Sequence, residues 1–432
     1  MNDALPKKRF QNLHCDMGIS PMPGMSGVKN SGKQDHSYHC AASTGGTPVS
    51  RETSRRLIAA IAVAAVLLCV FAPSVQAEEP AESPHAATAA TQPASIPDAI
   101  DRGVKFLKKS QNPDGSWGTG LETRGTEIYS MVPGSHDAFR LGTTALCIIA
   151  LREAGETDAH DKGVQYLMKA ADAKRDDGTL LYNTWAHVYV LQVMAEEMQH
   201  GNKDPRVAEV AKRNLKEMEQ YATYMGGWAY YDFHHHTESP ALGPTSFGTA
   251  AGLVALYEAK QAGLEIPDKL VDRSLHRLEE MRLPNGVFLY GSDYKYMPRL
   301  PANMPRGAVG RTQPANYALW LWKSKEVDSQ RIIDGLDLFK KEHAWLDMGR
   351  KRPFPHEAWY QTSGYYYYFD HYYASRLLES LSSDERPKYA KQIAEGVLPH
   401  QEEDGSWWDY AMWDYHKPYG TAFAVMTLLR CK

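Results

Sequence analysis

The sequence predicts an all-α protein whose folded part is a closed ring of six helical hairpins, an (α/α)6 toroid. A short pattern of amphipathic helix, turn and aromatic residue recurs six times after residue 97. Each copy is followed by a more apolar segment, as expected for outer helices that alternate with inner ones. Neither end carries a polar capping repeat, which an open helical array would need. These three observations favour closure of the ring.

The first copy of the pattern, residues 103–118, reads GVKFLKKSQNPDGSWG. Val104, Phe106 and Leu107 lie among lysines, which is typical of an amphipathic helix. The sequence Asn-Pro-Asp-Gly that follows favours a turn, because these residues suit turn conformations. After the turn and a polar insert, an apolar helix begins with GTTALCIIAL. The repeating unit is therefore outer helix, glycine-aromatic turn and inner helix.

The six copies align on the aromatic or apolar residue that ends each turn. These residues are Trp117, Leu180, Trp228, Phe288, Trp345 and Trp407, with spacings of 63, 48, 60, 57 and 62 residues. The fifth copy has no glycine in its turn. The predicted outer helices span residues 103–110, 162–171, 211–221, 270–281, 331–341 and 389–397. The predicted inner helices span residues 142–153, 183–197, 245–260, 312–322, 362–381 and 420–429, and their first residues suit N-caps.

The first hundred residues differ from the rest in composition. Residues 1–56 are polar and rich in Gly and Ser, and we predict that they are disordered. Two arginines then precede an apolar run of 15 residues within residues 57–77, which is typical of a signal peptide. The run is shorter than the ~20 residues of a membrane span, although an uncleaved membrane anchor is the alternative. Residues 78–97 read as a flexible linker and residues 98–432 as the toroid, so we expect an exported, periplasmic or secreted protein.

Net charge indicates which classes of partner to expect. Loss of residues 1–77 would leave 40 basic and 48 acidic side chains, a net charge of −8, which disfavours nucleic acid as a partner. Membrane contact is expected only through an uncleaved N-terminal segment, and the oligomeric state stays open.

Cys147 and Cys431 lie at helical positions offset by ~9 Å along the axis, too far for a disulfide. We therefore expect both to be structural or free.

Four segments carry a resemblance to a known family. FLKKSQNPDGSW and VLPHQEEDGSW resemble the QW repeats of squalene and hopene cyclases. GTTALCIIAL and GTAFAVMTLL resemble inner helices of the wider prenyltransferase and terpene-cyclase toroid superfamily. The resemblance covers about residues 96–432 and implies the toroid fold. It also implies that Gln111, Trp117, Gln401 and Trp407 tie neighbouring helices together, whereas it says little about catalysis.

The catalytic motifs of that superfamily are missing from the sequence. There is no D-x-D-D, the acid motif of class II cyclases, and no D-x-C, which supplies zinc ligands in protein prenyltransferases. The thioester Cys followed by Glu-Gln of complement-like toroids is also missing. We therefore predict no metal and no cofactor, and a member of the superfamily without its usual class II acid.

Long inserts between each turn and its inner helix predict the functional face. They span residues 118–141, 181–182, 229–244, 289–311, 346–361 and 408–419. All of them should emerge at the end of the ring where the inner helices begin. Long ordered loops on a rigid scaffold usually bind a ligand or a substrate.

Four residues are candidates for acid–base catalysis. Asp232 and His235 lie in the segment YYDFHHHTESP, Asp137 directly follows His136, and Asp414 lies in the last insert. Carboxylates and imidazoles can act as general acids or bases. The alternative is a set of solvent-exposed polar loops whose histidines cap neighbouring helices.

A buried acid–histidine pair is also expected in the fifth inner helix. Asp370 and His371 lie in the middle of the apolar segment YYYYFDHYY. Burying such groups without partners is costly, so we expect them to have partners inside the ring or at a helix interface.

Six further residues are candidates for ligand binding. Inserts four and five are rich in basic residues and include Arg299, Arg306, Arg311 and Arg350. They could form a positive rim for an anionic ligand, or they could pair with carboxylates elsewhere on the ring. Tyr366 and Trp413 belong to aromatic clusters that could stabilise carbocations, stack on sugars or pack the core.

Three functions remain open at this point. The first is binding or transformation of an apolar or isoprenoid-like small molecule in the central cavity. The second is a polysaccharide lyase or hydrolase, which would place paired groups such as Asp232 and Asp414 across a cleft from a glycan. The third is a non-catalytic binding module. The lining of the central cavity should distinguish an apolar pocket, a polar cleft with paired acids and a filled core.

Overall fold

The computed structural model describes residues 95–121, 123, 135–170, 184–229, 243–352, 361–362 and 364–432. Twelve helices of ten or more residues lie in these ranges. They are α1 Ile96–Lys109, α2 Ser135–Glu153, α3 Asp158–Ala170, α4 Thr184–Gln199, α5 Pro205–Tyr221, α6 Ser246–Gln261, α7 Asp268–Glu280, α8 Thr312–Leu321, α9 Ser329–Gly349, α10 Tyr367–Leu377, α11 Arg386–Val397 and α12 His416–Cys431. The described residues form no β-strand, only isolated bridges.

The even-numbered helices form a closed inner ring. α2 packs on α4, α4 on α6, α6 on α8, α8 on α10 and α10 on α12, and α12 returns to pack on α2. The odd-numbered helices pack outside this ring, for example α5 on α4 and α1 on α12. The predicted (α/α)6 toroid is confirmed.

The apolar pattern of each helix explains its layer. Inner helices such as α4 and α6 are apolar on nearly all sides and bury most of their residues, as expected for helices surrounded by protein. Outer helices such as α1 and α7 carry one apolar stripe and expose charged residues on the other face. At the start of α6, the predicted N-cap Thr245 accepts a hydrogen bond from the Gly248 N–H (3.2 Å).

The tryptophan of each complete turn joins the outer helix before it to the inner helix after it. The backbone N–H of Trp117 donates to Thr144 Oγ1 (2.9 Å), and its indole Nε1 donates to the Leu107 carbonyl (2.7 Å). The same two bonds link Trp228 to Thr249 and Met218, and Trp407 to Thr421 and Val397. Each turn is thus held by the hairpin that it connects.

Glutamines before the turns connect successive repeats. Gln111 Nε2 donates to the Ala159 carbonyl on α3 (2.8 Å), and Gln401 Nε2 donates to the Ala99 carbonyl on α1 (2.9 Å). The second bond joins the sixth repeat to the first. The tying role implied by the cyclase resemblance is present in this chain.

Two details of the predicted elements differ from the structure. The turn expected at Trp345 is wrong, because α9 continues through it to Gly349. The segment KKEHAWLDM has no Gly or Pro to end a helix. Inner helices also begin earlier than expected, α2 at Ser135 and α12 at His416, because the glycines used as start signals lie inside these helices.

Several predictions fall outside the described residues. The turn at Leu180, the signal peptide or anchor at 57–77 and most of the linker at 78–97 belong to this group. Among the described residues, no helix combines the length and the apolar character needed to cross a membrane. Cys147 and Cys431 are both buried and free, as expected.

Candidate functional site

Described parts of the inserts meet at the end of the ring where the inner helices begin. Insert three contacts insert four through the Pro244 carbonyl, which accepts a hydrogen bond from the Ser292 N–H (3.1 Å). Thr362 Oγ1 in the segment before α10 donates to the Arg306 carbonyl of insert four (2.5 Å). Inserts one and six are joined by Thr119 Oγ1, which donates to Asp414 Oδ2 (3.2 Å). The described parts of these inserts form the rim at that end of the ring, as the sequence predicts.

A central cavity opens inside this rim. Its empty volume, counted out to the mouth, is about 870 Å³. The described residues that line it are Ala138, Phe139, Gly142, Thr143, Leu146, Trp185, Tyr189, Phe247, Tyr365, Tyr366, Phe369, Tyr410, Met412, Tyr419 and Phe423. Ten of these fifteen are aromatic and none is charged, so the described wall is suited to an apolar ligand.

The first turns of the inner helices supply most of the aromatic wall. Phe247 lies edge-to-face with Tyr366, with ring centroids 5.2 Å apart. Trp185 meets the edge of Phe369 at 5.7 Å, and Phe369 meets Phe423 at 6.0 Å. Edge-to-face pairs at these distances stabilise one another. The rings therefore form a connected wall around the cavity.

A buried carboxyl group lies directly behind the wall. Asp409 is fully buried, and its Oδ1 accepts hydrogen bonds from the Tyr419 hydroxyl and the Tyr410 N–H, both at 2.8 Å. Its Oδ2 accepts from the Tyr368 N–H (3.3 Å), near the start of α10. Burial raises the pKa of Asp409 to about 6, although these hydrogen bonds oppose the rise. Asp409 is thus hydrogen-bonded to Tyr419, which lines the cavity.

The predicted Asp370–His371 pair is buried but does not act as a pair. Asp370 Oδ1 accepts from the Gln313 N–H in the first turn of α8 (3.2 Å), and burial raises its pKa well above the usual range. His371 instead faces His343 on α9. Asp370 therefore caps a neighbouring inner helix, and neither side chain lines the cavity.

The four predicted acid–base residues are not brought together among the described residues. Asp232 and His235 lie outside the described residues. Asp137 is exposed in the first turn of α2. Asp414 is half-buried, and burial raises its pKa. Their catalytic roles stay predictions.

The two predicted aromatic ligand residues lie at different depths. Tyr366 is part of the cavity wall. Trp413 lies one layer behind it and stacks on the wall residue Phe139, with ring centroids 5.9 Å apart. Trp413 has a positive φ of 42°, which is strained for a non-glycine residue. The last insert thus holds Trp413 in a fixed, strained position against the wall.

The arginines that were expected to form a basic rim occupy separate positions. Arg311 is fully buried, and its guanidinium donates to the carbonyls of Gly307, Phe288 and Ala302, so it holds insert four rather than a ligand. Arg350 lies over the Tyr367 ring and 3.0 Å from His400 Nδ1.

The other two arginines of the predicted rim lie in insert four. Arg299 is exposed. Arg306 is half-buried over the Trp345 ring, with 5.8 Å from the guanidinium carbon to the ring centroid. Neither residue belongs to the described lining of the cavity, and their binding roles stay predictions.

Sequence reasoning missed most of the wall. Phe139, Trp185, Phe247 and Phe423 are not among the predicted site residues. A usable signal was present, because an aromatic residue occurs within the first two turns of these inner helices. Asp409 was also missed, since its contacts with Tyr368 and Tyr419 join separate elements.

Comparison with known proteins supports the toroid fold and no specific function. No protein-family model matches the chain, and no curated protein matches it. An inactive variant of an α-1,6-mannanase from Salegentibacter sp. HEL1_6, solved with α-1,6-mannotetrose, is similar at 11% identity and a TM-score of 0.50, covering 78% of this chain and 99% of the mannanase. At so low an identity the likeness shows the toroid fold alone.

Type II terpene cyclase MstE from Scytonema is similar at 17% identity and a TM-score of 0.47, covering 77% of this chain and 97% of the cyclase. A possible member of glycoside hydrolase family 105 from Salmonella enterica is similar at 12% identity and a TM-score of 0.47, covering 78% of this chain and 93% of that one. Neither likeness separates relatives of squalene cyclase from other toroids.

Proposed function

We propose that the protein binds an apolar, isoprenoid-like small molecule in the central cavity. The observation that carries the proposal is the described lining, which is mostly aromatic and contains no charged side chain. An apolar ligand gains about 25 cal/mol for each Å² of apolar surface that it removes from water. A sugar would lose hydrogen bonds to water against such a wall without replacing most of them.

The packing of the cavity wall also fits this ligand class. The side chain of Trp185 is half-buried at the cavity wall, while Phe247 behind it is fully buried. The wall is therefore held firmly by packing and still presents aromatic faces to a ligand.

Chemistry on the ligand would start from Tyr419 and Asp409. With its pKa raised to about 6, the Asp409 carboxyl group exists in both protonation states near neutral pH, as a general acid should. The Tyr419 hydroxyl bridges it to the cavity. When Asp409 is protonated, this hydrogen bond would reverse: the Asp409 proton would move to the Tyr419 oxygen while Tyr419 gives its own proton to a ligand double bond. The aromatic faces would stabilise the resulting cation.

A glycan ligand is the second candidate. The observation in its favour is the group of tyrosines in the wall, Tyr365, Tyr366, Tyr410 and Tyr419, whose hydroxyls can bond to sugar oxygens while their rings stack on sugar faces. This reading also requires catalytic acids facing each other, as expected for Asp232 and Asp414.

Calorimetric titration of the full chain tests the two candidates side by side. The ligands are farnesol, geranylgeraniol and an α-1,6-linked mannotetraose. We expect the prenyl alcohols to bind and Trp185→Ala to weaken binding about tenfold or more, which corresponds to a loss of about 1.4 kcal/mol. Tyr296→Ala is the matched control, because this aromatic residue is 90% exposed and lies outside the described lining.

A cavity-blocking variant sharpens the result. Gly142 lines the cavity, and a Cβ there would meet its nearest atoms, in the backbone of Trp185, at an ordinary contact distance of 3.6 Å. Gly142→Leu therefore adds apolar bulk at the cavity wall. Prenyl alcohol binding should disappear with the fold intact by circular dichroism. Binding of mannotetraose without binding of either prenyl alcohol would overturn the proposal in favour of the glycan.

A further inference from the structure

A second pocket lies on the outside of the ring, between the outer helices α9 and α11. Its volume is about 720 Å³, and its lining includes Phe339, His343, Asp347, Ile393, Gly396 and His400. His371 of α10 lies beneath it and is fully buried. The lining shares no residue with the described lining of the central cavity, so the pocket is a separate site.

Hydrogen bonds fix which ring nitrogen of each histidine carries a proton. His371 Nδ1 is 2.7 Å from the Tyr367 carbonyl oxygen, which can only accept, so His371 Nδ1 must be the donor. His343 Nδ1 is 3.0 Å from Asp347 Oδ2, an acceptor when ionised, so His343 Nδ1 is also the donor. In the neutral rings, both Nε2 atoms are then left with a lone pair.

The two Nε2 atoms face each other at 3.0 Å. Two lone pairs at this distance repel, and a cation between them removes the repulsion. That cation is either a metal ion coordinated by both nitrogens or one extra proton shared by the two rings. The two Nε2 atoms therefore require a cation between them. The groups around the two rings indicate whether this cation is a metal ion or a proton.

Gly396 of α11 brings its backbone close to both nitrogens. A Cβ added to this glycine would lie 2.4 Å from His371 Nε2 and 2.9 Å from His343 Nε2, so only a hydrogen atom fits on this side of the two rings. A metal ion bound to both nitrogens, at bond lengths of about 2.0–2.1 Å, would therefore lie on the side away from Gly396.

The outer partners of the two rings also match those of metal-bound histidines. A coordinating histidine usually donates its other N–H to a carboxylate or a backbone carbonyl, which fixes the ring. Asp347 serves His343 in this way, and the Tyr367 carbonyl serves His371. The Tyr367 hydroxyl lies within hydrogen-bond distance of Asp347 Oδ1 (2.9 Å) and of the Gly396 carbonyl (2.6 Å), and its single proton can be donated to either.

We propose that His343 and His371 bind one divalent transition-metal ion through their Nε2 atoms. Nitrogens 3.0 Å apart subtend about 95° at a metal with bonds of about 2.0–2.1 Å, which is closer to the square geometry of Cu²⁺ or Ni²⁺ than to the tetrahedron of Zn²⁺. No three His, Cys, Asp or Glu side chains converge on one point among the described residues. Water entering through the pocket therefore completes the coordination.

Titration of the metal-free full chain with CuCl₂ and NiCl₂ tests the proposal. Calorimetry gives the stoichiometry, and electron paramagnetic resonance of the copper form reports coordinated nitrogens. We expect one site per chain with two imidazole nitrogens. His343→Ala should abolish this site, and Asp347→Asn should weaken it about 10- to 100-fold, as loss of an outer partner usually does. His276→Ala is the control, because this histidine is exposed on α7.

Two further variants guard against false results. Gly396→Ala keeps both histidines, but its Cβ would push their rings out of position, so it should also abolish the site while circular dichroism shows an intact fold. Replacement of His234, His235 and His236 by alanine removes the tri-histidine segment and should leave the site intact. Failure of both metals to bind stoichiometrically, or binding that His343→Ala leaves unchanged, would mean that the rings share only a proton.

Discussion

At the scale of single residues, each complete turn depends on one threonine. Thr421 Oγ1 accepts the Trp407 N–H at 3.0 Å, and both residues are fully buried. Thr144 and Thr249 do the same for Trp117 and Trp228. Because a buried N–H without an acceptor is costly, these threonines contribute to folding well beyond their size.

Thr421→Val should destabilise the fold by about 1–3 kcal/mol, since the valine keeps the shape but leaves the Trp407 N–H without its acceptor. Thr427→Val on the same helix is the matched control. The Thr427 hydroxyl only donates to the Phe423 carbonyl one turn earlier, so its loss should cost less. Urea unfolding measures both variants, and equal losses would contradict the proposed role of Thr421.

Asp409 should make stability depend on pH. Its folded pKa of about 6 lies above the usual value of an aspartate carboxyl group, so the folded state holds the proton more tightly than the unfolded state does. Stability attributable to this group therefore falls as the pH rises from about 4 to about 6. Thermal melts across this range should show a shallower fall for Asp409→Asn than for the wild type. Parallel curves would show that Asp409 does not titrate as assigned.

At the scale of elements, glycines in the outer helices make room for the tryptophans. A Cβ at Gly163 of α3 would come within 2.7 Å of Ile148 and 3.0 Å of the Trp117 ring. A Cβ at Gly103 of α1 would similarly come within 2.8 Å of Trp407. The indole of one repeat therefore packs on a glycine of the next outer helix.

Gly163→Ala should destabilise the protein by about 1–3 kcal/mol through overpacking, even though alanine is the better helix former. Gly142→Ala is the matched comparison, because the nearest atoms to a Cβ there are 3.6 Å away. That variant should be neutral or more stable by up to about 1 kcal/mol. The midpoint of chemical unfolding measures the stability of both variants. Stabilisation by both alanines would contradict the close packing of Gly163 against Ile148 and Trp117.

The sequence predicted elements well where their signals are local. The turn at Trp117 has Pro, Gly and Trp together, and the structure confirms it. The turn at Trp345 is predicted only from the repeat spacing, although the local residues favour a helix. The structure has a helix at this position. The predicted start of α2 is too late because Gly142 lies inside this helix and does not mark its first residue.

The site was less predictable because it depends on contacts between elements. Tyr366 was identified from an aromatic cluster, and it does line the cavity. Arg311 was chosen for its charge, yet its guanidinium is fully buried among backbone carbonyls. Asp409 acquires its environment from α10 and α12, which sequence spacing alone does not bring together.

At the scale of the whole molecule, the two ends of the inner ring differ in chemistry. The cavity occupies the end where the inner helices begin, whereas ion pairs occupy the end where they finish. Arg430 pairs with Glu153 (2.6 Å), Arg152 with Glu197 and Arg376 with Glu258 (3.1 Å). These pairs link α12 to α2, α2 to α4 and α10 to α6, so they hold the ring together opposite the cavity.

The charged end should weaken as the pH rises. Burial, together with the nearby Glu258 carboxyl group, raises the pKa of Glu196 to about 8. The unfolded state loses this proton near pH 4.5, so stability attributable to Glu196 falls between about pH 4.5 and pH 8. Glu196→Gln keeps the volume and removes the titration. Its melting temperature should decline less over this range, and an identical decline would contradict the assignment.

Photo-crosslinking locates the ligand in the full chain most directly. A geranylgeranyl probe with a diazirine on its tail, followed by peptide mass spectrometry, reports which residues surround the bound ligand. If the cavity is the binding site, labels will fall on wall residues such as Phe139, Phe247 and Phe423, and Gly142→Leu will remove them. Labels confined to the outer surface, or unchanged in Gly142→Leu, would contradict an isoprenoid site at the centre of the ring.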